Sequence, residues 1–149
     1  MTSLDSKAKE EEKLAAVEPE VNPDEELTEK LLAMGVPAEV AKAAPKWKKS
    51  WGGIRYTELN DTLYIFRKLK WGDMKDITSS LTNLAKSPNA NEPILRMADL
   101  ELQLEKAVLY PKVTVEGARE FPSGDLETLQ ELITEYSGYV QLPPIVEDL

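Results

Sequence analysis

The chain has 149 residues and a formal net charge of −9, and it contains neither cysteine nor histidine. That length points to one domain, or one domain with a tail. The missing residue types exclude a disulfide, a thiolate nucleophile, and the usual general base and metal ligand near neutral pH.

The longest apolar runs are four or five residues, far short of the roughly 20 that a spanning helix needs. No apolar h-region stands near the N-terminus, so no secretory signal is expected. A soluble protein of a reducing or cytoplasmic compartment fits these features. The charge is unevenly spread: residues 1–26 balance to −6, 27–41 to −1, 42–75 to +6 and 76–149 to −8. The chain is acidic, then basic, then acidic again.

Residues 1–23, "MTSLDSKAKEEEKLAAVEPEVNP", form an acidic arm without aromatics. Such a segment buries too little surface to offset its ordering entropy, so the arm is expected to be flexible, or ordered only by a partner. Residues 24–45 read as a helical hairpin. Asn22 or Asp24 is the cap candidate, Leu27, Leu31 and Met34 share a face, and Gly35 is a C′ stop. "VPAEVAKAAP" gives the second short helix, with Pro37 opening it and Pro45 closing it. The string "LLAMGVPAEVAKAA" also resembles the start of a ubiquitin-associated domain, but "PKWKKSWGG" stands where that family needs its third helix.

Residues 46–52 are expected to be a basic connector holding Trp47, Lys48, Lys49 and Trp51. Aromatics interleaved with cations fit a nucleic-acid or phosphate patch. They fit equally a connector whose tryptophans pack while its lysines stay solvated, or a block that pairs with acidic protein surface. The acidic balance elsewhere favours acidic protein over nucleic acid.

"IRYTELNDTLYIFRKL" predicts a β-hairpin, with "ND" as turn residues that tolerate positive φ. Leu63 and Ile65 would face one side, and Tyr64 and Phe66 the other. "WGDMKDITSSLTNLAKSP" predicts a helix with Asp73 in its first turn and a Met74, Ile77, Leu81, Leu84 stripe. "EPILRMADLELQLEKAVLYP" predicts the longest helix, from Pro93 to the stop at Pro111, with Ile94, Met97, Ala98, Leu102, Val108 and Leu109 on one broad face. Leu100 and Leu104 widen that face, which makes them candidates for a partner groove. "FPSGDLETLQELITEYSG" predicts the last helix, capped by Ser123 or Gly124, with Leu126, Leu129, Ile133 and Tyr136 inward and Gly138 closing it. The two helices are expected to pack together, joined by "YPKVTVEGAREFPSG". The tail, 141–149, is expected to be extended.

Little in the chain carries chemistry. Asp99, Glu101 and Glu105 share one helix, and Glu127, Glu131 and Glu135 share another at i, i+4 spacing. Helical carboxylates without a loop ligand set are ordinarily a solvated face. No phosphate-loop, dinucleotide or nucleophile-elbow pattern occurs. The expectation is no catalytic residue, no metal and no cofactor.

Four short motifs carry a resemblance. They are Tyr64, Phe66 and Arg67 with a following acid, where Asp73 or Asp76 stands in place of the usual Glu; Val108, Leu109, Tyr110 and Pro111; Phe121, Pro122, Ser123 and Gly124; and Leu129, Ile133, Ser137 and Gly138. In this order, over residues 54–140, the chain resembles tail assembly chaperones of tailed bacteriophages and related baseplate hub assembly proteins. The resemblance implies a small non-catalytic protein that shields apolar helices of the tape-measure protein, or one that acts on or in the baseplate. Its partners would be the tape measure, baseplate hub or tube, with homo-oligomers left open. It implies the host cytoplasm during assembly, or the virion itself. The alternative is a small acidic adaptor that uses the Trp/Lys segment.

The expected fold is α+β and mostly helical. It has an N-terminal arm, a helical hairpin, and a core domain over 53–140 made of one β-hairpin and three helices, followed by the extended tail. The expected partner-binding residues are Leu100, Leu104, Trp47, Lys48, Lys49 and Trp51.

Overall fold

The computed structural model describes residues 22–138 and 145–148. The arm, apart from Asn22 and Pro23, and residues 139–144 and 149 of the tail lie outside the described residues. The described chain is a small α+β protein with five α-helices and one three-stranded antiparallel sheet. It divides into two compact units, one ending at Lys49 and one beginning at Ser50.

The first unit holds α1 (Pro23–Ala33) and most of α2 (Ala38–Trp51). Asn22 caps α1, its side-chain oxygen accepting from the Asp24 N–H at 3.1 Å, and Pro23 at the first helical position loses no bond that the helix would have made. Gly35 takes φ +87°, a left-handed conformation that glycine adopts at no steric cost. It lets the Val36 N–H return to the Leu31 carbonyl. Leu31, Val36, Ala41 and Ala44 are buried.

Pro45 does not close the second helix, and residues 46–52 are not a connector. The helix runs through Pro45 to Trp51. An interior proline costs about 3 kcal/mol but does not forbid helix, and the lysines that follow are good helix formers.

The second unit is built on β1 (Arg55–Leu59), β2 (Thr62–Phe66) and β3 (Val108–Tyr110), in that spatial order. Asn60 and Asp61 turn the β1–β2 hairpin with φ of +48° and +63°, as a two-residue type I′ turn requires. Arg55 pairs with Phe66 and Leu59 with Thr62. The central strand β2 is buried at Tyr64, Ile65 and Phe66 alike, so both of its faces are covered.

Around the sheet lie α3 (Trp71–Ala85), α4 (Glu92–Ala107), a 3₁₀ turn (Gly117–Glu120) and α5 (Ser123–Tyr136). Asn91 caps α4 through a 3.0 Å bond from the Ile94 N–H. The helix read as extending to Pro111 ends at Ala107, and Val108–Tyr110 form the third strand instead. A residue before proline is pushed to extended backbone, and Val and Tyr suit a strand. Pairing with β2 then satisfies their backbone.

Helix α4 packs between α3 and α5. The main core joins Tyr64, Phe66 and Leu69 to Leu104, Ala107, Val108 and Val113, and to Leu126, Leu129 and Ile133 of α5. The inward face of α4 is therefore Gln103, Leu104 and Ala107. The stripe drawn through Ile94 and Met97 points outward, with those residues 42% and 66% exposed. Leu104 is fully buried and cannot be a partner-binding residue. Helix α5 starts behind Pro122 without a side-chain cap from Ser123. In the tail, Ile145 and Val146 are exposed and belong to no helix or strand.

Two variants test this assignment of the core. Leu129→Ala is expected to cost about 2–5 kcal/mol in a denaturant titration. Leu104→Asp is expected to abolish the cooperative transition, because it places a charge where no water reaches. A stably folded Leu104→Asp protein contradicts the assignment.

Candidate functional site

Two buried polar clusters position the surfaces of the second unit. The first centres on Arg67, at the end of β2. Its N–H donates to the Ala107 carbonyl at 2.9 Å, which continues the strand pairing past Phe66. Its guanidinium is 4% exposed and donates to both oxygens of Asp73, at 2.8 and 3.2 Å. It also lies 3.8 Å from the centre of the Trp51 ring, a stacked cation–π geometry that suits arginine better than lysine.

Asp73 in turn accepts from the Lys70 N–H at 2.8 Å and so closes the first turn of α3. The Arg67 hydrogen bond, above all, holds the Asp73 carboxyl below its ordinary range, against the opposing effect of burial.

The second cluster ties the hairpin to the start of α5. Asp125, 2% exposed, accepts from the Tyr64 hydroxyl at 2.8 Å and from the Asn60 amide at 2.7 Å. Burial first, and then the bond to Asp125, push the Tyr64 phenol above its ordinary value. At the other end of α5, the Ser137 hydroxyl accepts from the Leu69 N–H at 2.8 Å. Tyr136 meets Phe66 edge-on at 6.0 Å, with the Arg55 guanidinium 4.0 Å from its ring centre. Gly53, at φ +132°, passes so close that an added Cβ would lie 2.6 Å from the Tyr136 hydroxyl.

With α5 fixed at both ends, its first turns, α4 and the 3₁₀ turn enclose an open groove of about 260 Å³. Met97 and Leu100 of α4, Ala118, Phe121 and Leu126 supply its apolar lining, and Glu101, Arg119 and Glu127 its charges. Phe121 is held by the Tyr64 ring at 6.3 Å. The groove lining is mostly apolar, with charges at its edges.

Of the expected partner-binding residues, Leu100 lines this groove and Leu104 lies in the core. Trp51 is half-buried, one ring face taken by Arg67. Trp47 is also half-buried, while Lys48 and Lys49 are exposed and Lys49 pairs with Asp24 of its own unit at 3.0 Å.

Sequence reading missed Met97, Phe121 and Leu126 as groove residues. Met97 and Leu100 are three apart on one helix, a spacing that marks a face, but nothing local shows that this face points away from the core. It also missed Trp71, which is 79% exposed at the start of α3.

Among the described residues, no group of three or more acidic side chains is placed to hold a metal ion, and no helix is long and apolar enough to cross a membrane. No protein-family model, curated protein or solved structure matches the chain.

The polar clusters carry two predictions about pH. The Asp73 carboxyl titrates lower folded than unfolded, so its contribution is present above about pH 4, the unfolded value, and is lost as pH falls through the folded one. Asp73→Asn is expected to cost about 1.5–3 kcal/mol at neutral pH, a deficit that narrows in acid. Denaturant titrations of both proteins from pH 7 downward check this, and a deficit independent of pH contradicts it.

For Tyr64 the sign is reversed. A raised folded value stabilises below about pH 10, the unfolded value, and the contribution is lost as pH rises beyond it. Tyr64→Phe is expected to cost about 1–3 kcal/mol at neutral pH and to lose less stability than the parent above pH ~10.

Proposed function

We propose that the chain is a non-catalytic binding protein of bacteriophage tail morphogenesis. In this reading it holds an apolar helix of another tail protein, tape measure or baseplate hub, as an assembly chaperone or as a baseplate component. The observation that carries the binding role is the groove at Met97, Leu100, Phe121 and Leu126. Met97, 66% exposed, stands in one lining with Leu100, Phe121 and Leu126, so the apolar surface there is a patch and not a lone side chain.

Methionine suits the task, because its unbranched, polarisable chain adapts to different apolar surfaces. Helix-in-groove recognition needs little more than a trough of this kind and an amphipathic helix to fill it. The assignment to tail morphogenesis rests on the motif order from Tyr64 to Gly138. Arg67 of the first motif and the acid that follows it, Asp73, form an ion pair.

The adaptor reading has less support. Trp51 is engaged by Arg67, so the Trp/Lys segment offers fewer free aromatic faces than its sequence indicates.

The test is co-expression with the tail proteins of the same genome, followed by affinity capture and melting of the captured complex. Met97→Asp is expected to reduce capture of the tape-measure or hub protein at least tenfold while leaving the melting temperature of the free protein unchanged. Capture of no tail protein, or capture indifferent to Met97→Asp, rejects the proposal. Micromolar binding of DNA or RNA with a steep salt slope favours the adaptor reading instead.

A further inference from the structure

We infer that the groove takes an amphipathic helix whose apolar anchors are flanked by lysine or arginine, and that the outer edge of α5 reads this charge. The inference rests on the groove reading above and adds the chemistry of the occupant.

Glu127 both lines the groove and begins a row with Glu131 and Glu135. Residues four apart on a helix lie on one face, about 6 Å apart along the axis. All three are exposed, and among the described residues none is in an ion pair. On the other wall, Glu101 lines the groove from α4. Within the lining, Arg119 is the cation set against Glu101 and Glu127, and Glu131 and Glu135 continue the acidic row along α5 beyond it.

Like charges at i, i+4 weaken the helix that carries them. An acidic row beside an apolar trough is therefore a local cost that a basic partner relieves. A partner helix laid along α5 carries its own side chains at the same 6 Å repeat, so lysines or arginines at i and i+4 meet successive glutamates while its apolar face fills the trough. An acidic helix placed the same way meets repulsion at every turn. Exposed pairs of this kind add modest affinity, but they set orientation, exclude wrong partners and raise the association rate. Because the row is exposed, salt screens its effect over about 8–10 Å.

The test uses a yeast-displayed library of 18-residue amphipathic helices with fixed Leu, Ile, Met or Phe anchors and flanking positions drawn equally from Lys, Glu and Gln. It is sorted against the full chain and against Met97→Asp. The expected result is enrichment of Lys-flanked clones whose binding falls at least tenfold on Met97→Asp and at least tenfold between 50 and 500 mM NaCl. A second sort uses the triple variant Glu127→Lys, Glu131→Lys, Glu135→Lys and is expected to enrich Glu-flanked clones.

Met97-dependent clones with Glu or Gln flanks, or binding insensitive to salt, overturn the charge inference and leave the groove reading standing. The absence of any Met97-dependent clone overturns both. The salt arm decides the matter without the triple variant should that protein fail to fold.

Discussion

A buried arginine holds the second unit in register. Arg67 leaves β2 at the point where three elements and Trp51 meet, and its backbone N–H, both terminal guanidinium nitrogens and its flat face are engaged there. The backbone N–H extends the pairing toward Ala107, the guanidinium grips Asp73 at the head of α3, and the flat face lies on Trp51. A buried cation stripped of such partners costs a few kcal/mol. The arrangement therefore tolerates little variation: the end of β2, the start of α3, the end of α4 and Trp51 have to arrive together. Asp73 does double duty, since the same carboxylate that neutralises Arg67 also closes the first turn of its helix.

Asp125 plays the matching part for α5. Its carboxylate is satisfied by Asn60 from the hairpin turn and Tyr64 from the central strand, so the first turn of the helix is set by the sheet and not by a capping side chain of its own. Ser137 fastens the other end to the chain leaving β2. Between these two polar fixings, Leu126, Leu129 and Ile133 pack on Leu104 and Val108. The polar contacts decide where the helix lies, and apolar burial supplies most of the stability.

The groove is a consequence of that placement. Helix α4 turns Leu104 and Ala107 to the sheet, which leaves Met97 and Leu100 on a flank that α5 only partly covers. The chain from Val113 to Phe121 closes the third side, anchored by Val113 and Ala118 in the core. Phe121 thus stands between the core, through Tyr64, and the open surface. An occupant of the groove would rest on two helices, α4 and α5, and on a segment anchored in the core, which lowers the ordering cost of binding.

Much of this was legible in the residues themselves. Asn22 and Gly35 mark a helix and its stop, Asn60–Asp61 a tight hairpin, and Leu126, Leu129 and Ile133 an inward stripe. Each signal is local: a cap, a tolerance for positive φ, or a period of 3.6 residues is written within a few positions. What the sequence could not decide was direction and partnership at a distance. Pro45 reads as a stop but lies inside a helix, because one missing bond costs less than ending the helix there. Val108–Tyr110 read as helix because their strand partners lie more than forty positions earlier. Leu100 and Leu104 are one turn apart and look alike, yet the first lines a groove and the second fills the core. On a helix that is apolar over a broad arc, only the elements packed against it determine which side is inside.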